Sequence, residues 1–255
     1  VNEFLIQIIF LAILGASLGS FCMGLASRLT QNHRLFTLHS FCFSCKKRLG
    51  IFELVPIFSY LFLRAKCKHC KAKIPLILFL SEILGIILLG FCFYCSKNFY
   101  DFLFLTLFVF NLFLLSLIDI KLKAVPEFLL WTAFFFAFLY AFSEKEFINL
   151  FIFEELDGGF FFDAMLFAGF MFLLKNFIAF LSSFKKGEKE ENLGEADLIL
   201  LACMSGILGF KWCFLALFIA AILSLPFFLI QKKLAFIPFL SLAFIAILCY
   251  KNWEN

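Results

Sequence analysis

Eight stretches of this chain are apolar for about the length needed to cross a bilayer, and that pattern restricts the fold before any single residue is considered. They run roughly over 4–26, 75–95, 102–118, 125–142, 160–182, 197–210, 212–231 and 234–250. A spanning helix needs about 20 apolar residues, and helices satisfy their own backbone polar groups where water cannot. Composition agrees: 64% of residues are hydrophobic and 16% are charged, against roughly 25% charged in soluble domains. The expected fold is an all-α polytopic membrane protein with about eight transmembrane helices. The sixth run is the shortest. Residues 51–63 are apolar too, but Glu53 and Pro56 interrupt them, so they are expected at the interface or packed on a loop. The 44 phenylalanines read as packing and lipid-facing positions. The start of the chain has an acid, Glu3, and no basic residue before the first apolar run, so that run is expected as a retained helix, not a cleaved signal.

Lysines and arginines orient the spans, because they collect on the cytoplasmic side. With the N-terminus outside, 17 of the 22 basic residues fall in cytoplasmic segments and 4 in outer ones, with Lys175 inside the fifth span. The third span then ends inward at Asp119 and the sixth begins inward at Asp197. Both acids are expected at the cytoplasmic membrane surface, and the loop after the first span is expected to be cytoplasmic.

That loop carries two Cys-x-x-Cys pairs, Cys42/Cys45 and Cys67/Cys70. Each pair lets two thiolates reach one ion, and two pairs complete a tetrahedron. Four thiolates leave no open position, so a structural zinc is expected, favoured over disulfides by a reducing cytoplasm. Flanking cations such as Lys46, Lys47, Arg48, Lys66, Lys68 and Lys71 are expected to lower the thiol pKa values. His69 reads as a bystander, and His33 and His39 as solvated loop residues. Cys92 and Cys95 repeat the spacing without a second pair; they read as apolar helix residues, with an outer-face disulfide as the alternative. Cys22, Cys203, Cys213 and Cys249 read as small hydrophobes.

Acids in or beside spans are expensive and usually functional. The candidates are Glu82, Asp119, Glu127, Asp163 and Asp197. Asp163 falls near the outer end of its span, away from the pair, and Asp101, Glu144, Glu146, Glu154, Glu155 and Asp157 read as solvated outer-loop acids. Two aspartates sharing a site cannot both ionise easily, so such a pair holds one proton near neutral pH. Its ionised member can take a proton from water while the other polarises a peptide carbonyl. The bland alternative is that Asp119 ends a helix and Asp197 caps one. A cap suits Asp197, whereas an acid at a helix C-terminus opposes the dipole. Glu82 could bind a substrate group, orient a neighbour or pair with a lysine.

These motifs resemble the type IV prepilin peptidases along nearly the whole chain. LGASLGSFCMGLASRL resembles that family's N-terminal Gly-Ser-Phe-x-Asn-Val-x-x-x-Arg segment, with Gly24 where Asn or Val is more usual. ELVPIFSYLFLRAKCKHC resembles its zinc loop and IPLILFLSEILGIIL the stretch that follows, with Glu82 at the family's glutamate. SLIDIKLKAVPE and LGEADLILL resemble the two catalytic motifs, which places the catalytic aspartates at Asp119 and Asp197. Gly194 and Glu127 become supporting residues by the same match, with Pro126-Glu127 in place of Pro-Asp and Ala196 in place of the second glycine of Gly-x-Gly-Asp. The resemblance implies cleavage of a short basic leader from prepilins or pseudopilins at the cytoplasmic face of a bacterial inner membrane, in type IV pilus assembly or type II secretion. It also implies methylation of the new N-terminus with S-adenosylmethionine, without identifying residues that bind it. Glu188, Glu190 and Glu191 could attract the leader's lysines.

The expected organisation is a first helix over 1–27, a zinc loop over 28–74 and a peptidase core over 75–255. Prepilins and the bilayer are the expected partners, and no nucleic acid is. The competing class is a zinc-stabilised membrane scaffold without catalysis, in which both aspartates would tolerate Asn. A proton-coupled transporter would need acids deeper in the spans, where only Glu82 qualifies.

Overall fold

The structure, a computed structural model, describes residues 2–31, 40–42, 44–50, 53–144, 159–186, 194–228 and 234–254. Among these the fold is helical: α1 (Asn2–Thr30), α2 (Phe58–Phe62), α3 (Leu76–Cys95), α4 (Phe99–Leu122), α5 (Glu127–Glu144), α6 (Phe160–Lys186), α7 (Glu195–Leu208), α8 (Phe210–Phe228) and α9 (Ile237–Glu254). Each of the eight apolar runs is helical over most of its described residues, and α2 falls in the interrupted segment that was not expected to span. Among the described residues five helices, over 5–30, 76–95, 99–122, 160–180 and 210–228, are long and apolar enough to cross a membrane. His33, His39, Glu146, Glu154, Glu155, Asp157, Glu188, Glu190 and Glu191 lie outside the described residues.

The chain divides into two compact units, 1–94 and 95–255. Helix α3 groups with α1 and the cysteine loop in the first of these units. The cause is a crossing of small residues. Gly15 and Gly19 of α1 meet Gly85 of α3 backbone to backbone; a Cβ on Gly15 would fall 2.7 Å from the Gly85 carbonyl oxygen. Such Gly-x-x-x-Gly faces let helices approach closely where lipid gives no hydrophobic drive to associate. A carboxyl adds to it: Glu82 of α3 accepts the Ser20 hydroxyl of α1 at 3.0 Å.

In the second unit α7 is the inner element. It packs against α5, α6, α8 and α9, and every residue from Leu200 to Leu208 is buried. A helix apolar on all sides belongs inside a fold. Its 14 residues reach only about 21 Å, which accounts for the brevity of the sixth apolar run. Helices α7 and α8 are separated by one residue, Gly209, at φ 90° and ψ 157°, a region essentially reserved for glycine. Helix α4 packs on α5 and α9. Asn111 of α4 donates to the Thr132 hydroxyl of α5 at 2.8 Å, and Ser116 of α4 lies 3.1 Å from Ser241 of α9, hydroxyl to hydroxyl.

Two acids differ from expectation. Asp101 is no solvated loop residue: it is buried in the first turn of α4 and accepts the Asn98 N–H at 3.3 Å. Asp163 is buried in the first turn of α6, where its backbone carbonyl accepts the Ser205 hydroxyl at 3.0 Å.

The crossing and the turn each set up a test by thermal unfolding in detergent. Gly85→Leu is expected to destabilise by about 1–3 kcal/mol through overpacking. Gly90→Leu in the same helix, where a Cβ meets nothing within 4 Å, should be close to neutral. Gly209→Ala is expected to cost about 1–3 kcal/mol.

Candidate functional site

The first unit holds a thiol cluster built from two copies of one turn. Cys42 N–H donates to the Lys47 carbonyl at 2.9 Å, and Lys46 N–H returns to the Cys42 carbonyl at 3.0 Å. Cys67 N–H donates to the Ala72 carbonyl and Lys71 N–H to the Cys67 carbonyl, both at 2.9 Å. Isolated bridges flank each turn, Phe41 with Arg48 and Lys66 with Lys73. The residue after each second cysteine, Lys46 or Lys71, is left-handed at φ 57°. These turns bring the sulfurs of Cys42, Cys45, Cys67 and Cys70 within 4.8 Å of one another, with Cys42 and Cys70 3.9 Å apart. A tetrahedral metal with thiolates at about 2.3 Å sets sulfurs about 3.8 Å apart, so the four fit a single ion. His69 is exposed and outside the cluster.

The thiols differ in acidity. Cys42 is lowered to about 7, first by the Cys45 N–H, with the Ser44 N–H and the Cys67 and Cys45 thiols helping and desolvation opposing. Cys70 keeps a lowering contact with the Ala72 N–H, but desolvation and hydrogen bonds with Cys67, Cys45 and Cys42 push it up to about 11. The lowering of Cys42 thus comes from backbone donors in the turn, where flanking lysines were expected to supply it.

Glu82 serves the same unit as an anchor. It is buried in α3; besides Ser20, its second carboxylate oxygen accepts the Ile57 N–H at 2.7 Å. Ile57 sits at φ 64° and ψ −54° at the start of α2, a sterically unfavourable place for a β-branched residue. Glu82 is the hydrogen-bonding partner that holds it there. Of the readings open to Glu82, orienting a neighbour is the one this geometry displays.

The second unit holds both aspartates. Asp119 lies in the last turn of α4, which Lys123 closes in left-handed geometry at φ 53° with its N–H on the Asp119 carbonyl. The Asp119 side chain is buried and accepts the Ile237 N–H at 3.1 Å, at the first residue of α9. An acid that ends one helix thus meets the positive N-terminus of another, which removes the dipole conflict posed by the sequence. Asp197 is half-buried in the first turn of α7 and is hydrogen-bonded by the N–H of Gly194, the N-cap. Asp119 lies near enough to Asp197 to act on it electrostatically, second to the effect of burial. Ala196 is helical, so the alanine replaces no left-handed glycine. Gly194 has an ordinary φ of −70°, and Glu127 is exposed at the start of α5. Ser20, Ile57 and Ile237 were not singled out as site residues. Pro238 after Ile237 marks a helix start, but no local signal joins that start to an aspartate 118 positions earlier.

Comparison with known proteins follows this division. The family model for the bacterial peptidase A24 N-terminal domain matches residues 13–96, and that for the type IV leader peptidase family matches residues 104–229. A prepilin leader peptidase/N-methyltransferase of Vibrio cholerae is 32% identical over 143 residues, covering 53% of this chain and 56% of the relative. One of Bacillus subtilis is 27% identical over 217 residues, covering 84% of this chain and 79% of the relative. The chain thus spans little more than half the length of the Vibrio relative in that match. No solved structure matches the chain. The residues matched by the two models leave one reading of the lineage: the chain belongs to the type IV leader peptidase family.

Proposed function

We propose that this chain is a membrane-embedded aspartyl endopeptidase that removes the short basic leader from prepilins or pseudopilins, with Asp119 and Asp197 as its catalytic pair. The observation that carries this reading is the placement of Asp119 in the last turn of α4 and Asp197 in the first turn of α7, with Asp119 near enough to act electrostatically on Asp197. A pair sharing one proton supplies both functions that amide hydrolysis needs. The ionised aspartate takes a proton from water, whose oxygen attacks the scissile carbonyl. The protonated partner hydrogen-bonds the carbonyl oxygen, and the departing amine receives a proton from the pair as the C–N bond breaks. The basic-residue bias sets this chemistry at the cytoplasmic face of the membrane, where a prepilin's leader meets its apolar helix. Glu127 and Gly194 flank the pair in sequence as supporting positions.

A second activity, N-methylation of the new terminus, rests on the names of the two relatives. S-adenosylmethionine would supply an electrophilic methyl group. The free amine forms the new N–C bond as the C–S bond breaks, and then loses a proton. The four-cysteine cluster is read as structural zinc, because four thiolates fill the tetrahedron and leave no position for water.

The non-catalytic scaffold keeps one observation in its favour, the capping of α9 by Asp119. Substitution separates the two roles. Asp119→Asn retains an oxygen acceptor for Ile237 and should keep the thermal midpoint near wild type, while prepilin cleavage in detergent falls about 10²–10⁴-fold. Asp119→Ala should lose cleavage and about 1 kcal/mol of stability with the cap. Asp197→Asn should lose cleavage to a similar degree. Wild-type cleavage by either Asn variant would leave the scaffold standing. For the metal, elemental analysis of purified protein should give one zinc per chain, and Cys42→Ser with Cys67→Ser should lose it. Binding requires thiolates, so acid should release the zinc as protons compete for sulfur.

A further inference from the structure

Asp119 belongs to a seam between α4 and α9 that has three levels. At the start of α9 the Ile237 N–H donates to its Oδ2 at 3.1 Å, with the Phe236 N–H beside it. About one turn further along, Ser116 of α4 and Ser241 of α9 bring their hydroxyl oxygens within 3.1 Å of each other. Beyond them the rings of Phe108 and Phe244 meet edge to face, with centroids 5.3 Å apart. Residue numbers fall along α4 as they rise along α9, so the two helices run antiparallel. Ser116 precedes Asp119 by three residues and Ser241 follows Ile237 by four. Those spacings put each serine on the same helix face as its neighbour.

Both serines are buried, and each hydroxyl also lies near a carbonyl of its own helix. Ser116 is 2.8 Å from that of Leu112 and Ser241 is 2.9 Å from that of Pro238. A hydroxyl has one proton to donate. If each donated to its own helix, two oxygens would face each other across the seam with no proton between them. One serine therefore donates across the seam and forgoes its own carbonyl. Apolar packing is non-directional and tolerates a helix that slides or turns. A hydroxyl pair holds only within a narrow range of distance and angle. Single polar contacts of this kind fix the register of apolar helices, and between membrane helices they add little to stability.

We propose that Ser116 and Ser241 are positioning residues for leader cleavage. Their contact sets the register of α9 on α4, and that register holds the Ile237 N–H on the Asp119 carboxylate. The inference rests on the aspartyl reading above and extends it to two residues outside the acid pair. A displacement of about 1 Å at a catalytic group can cost on the order of 10²-fold in rate. A contact that matters little for stability can therefore matter greatly for turnover.

Steady-state cleavage of a prepilin by the full-length chain in detergent provides the test. Ser241→Ala should lower kcat at least about tenfold and leave KM and the thermal midpoint near wild type. Ser116→Ala should do the same. The double variant should lose no more than either single one, because both changes remove one interaction. Ser224→Ala is the control. Ser224 is as buried as Ser241, but its hydroxyl bonds the Ala221 carbonyl within α8, so kcat should stay at wild type. Should Ser241→Ala not fold, Ser116→Ala carries the same comparison. Wild-type kcat in the Ser116 and Ser241 variants overturns the proposal. So does a loss that Ser224→Ala matches, or two single losses that multiply in the double variant. Wild-type cleavage by Asp119→Asn overturns the aspartyl reading itself, whereas its loss beside fully active serine variants overturns only the register role.

Discussion

A backbone N–H without a partner is costly wherever water is scarce, and five of the 18 acids of this chain meet that requirement. Asp119 takes the N–H of Ile237, Asp197 that of Gly194, Glu82 that of Ile57, Asp101 that of Asn98 and Glu53 that of Gly50. Each of these donors lies at a helix start or a turn. Helices satisfy their own interior groups, but their first turns expose donors that need an outside acceptor. Carboxylates are strong acceptors there because donor and helix dipole act together. In a chain with so few charges, the positions of the acids therefore report where the helices begin and which pieces of chain are joined.

This has a chemical consequence in the second unit. A carboxyl used as a cap is held by backbone, so it has little freedom to turn away. Asp119 is held by α9 and Asp197 by the start of α7, with Asp119 near enough to act on Asp197 electrostatically. The Asp119 carboxyl is held by two backbone donors at the start of α9, Ile237 on Oδ2 and Phe236. The first unit applies the same economy to sulfur. The first cysteine turn supplies N–H donors from Cys45 and Ser44 that stabilise the Cys42 thiolate, and two repeats of the turn bring four sulfurs together.

The helices were legible because their signal is local. An apolar run of the right length needs no partner to be recognised, and the cysteine spacing carries its geometry within four residues. The weakest of the eight runs proved to be α7, whose brevity reflects burial among four other helices. Asp101 was misplaced because position near an apparent loop says nothing about burial once the helix begins three residues earlier than expected, at Phe99. The contact between α3 and α1 has no such local signal. Gly15, Gly19 and Gly85 are ordinary small residues in sequence, and only the crossing turns them into a contact surface.

By itself, then, the order of residues determined an all-helical membrane fold, a four-thiol cluster and two acids at the ends of apolar runs, since hydropathy, ligand spacing and charge are properties of short segments. Tertiary structure decided that Asp119 caps α9, that Glu82 restrains Ile57 and that α3 sides with α1. These depend on contacts between residues up to 118 positions apart, and no local preference encodes which distant N–H a carboxylate will find.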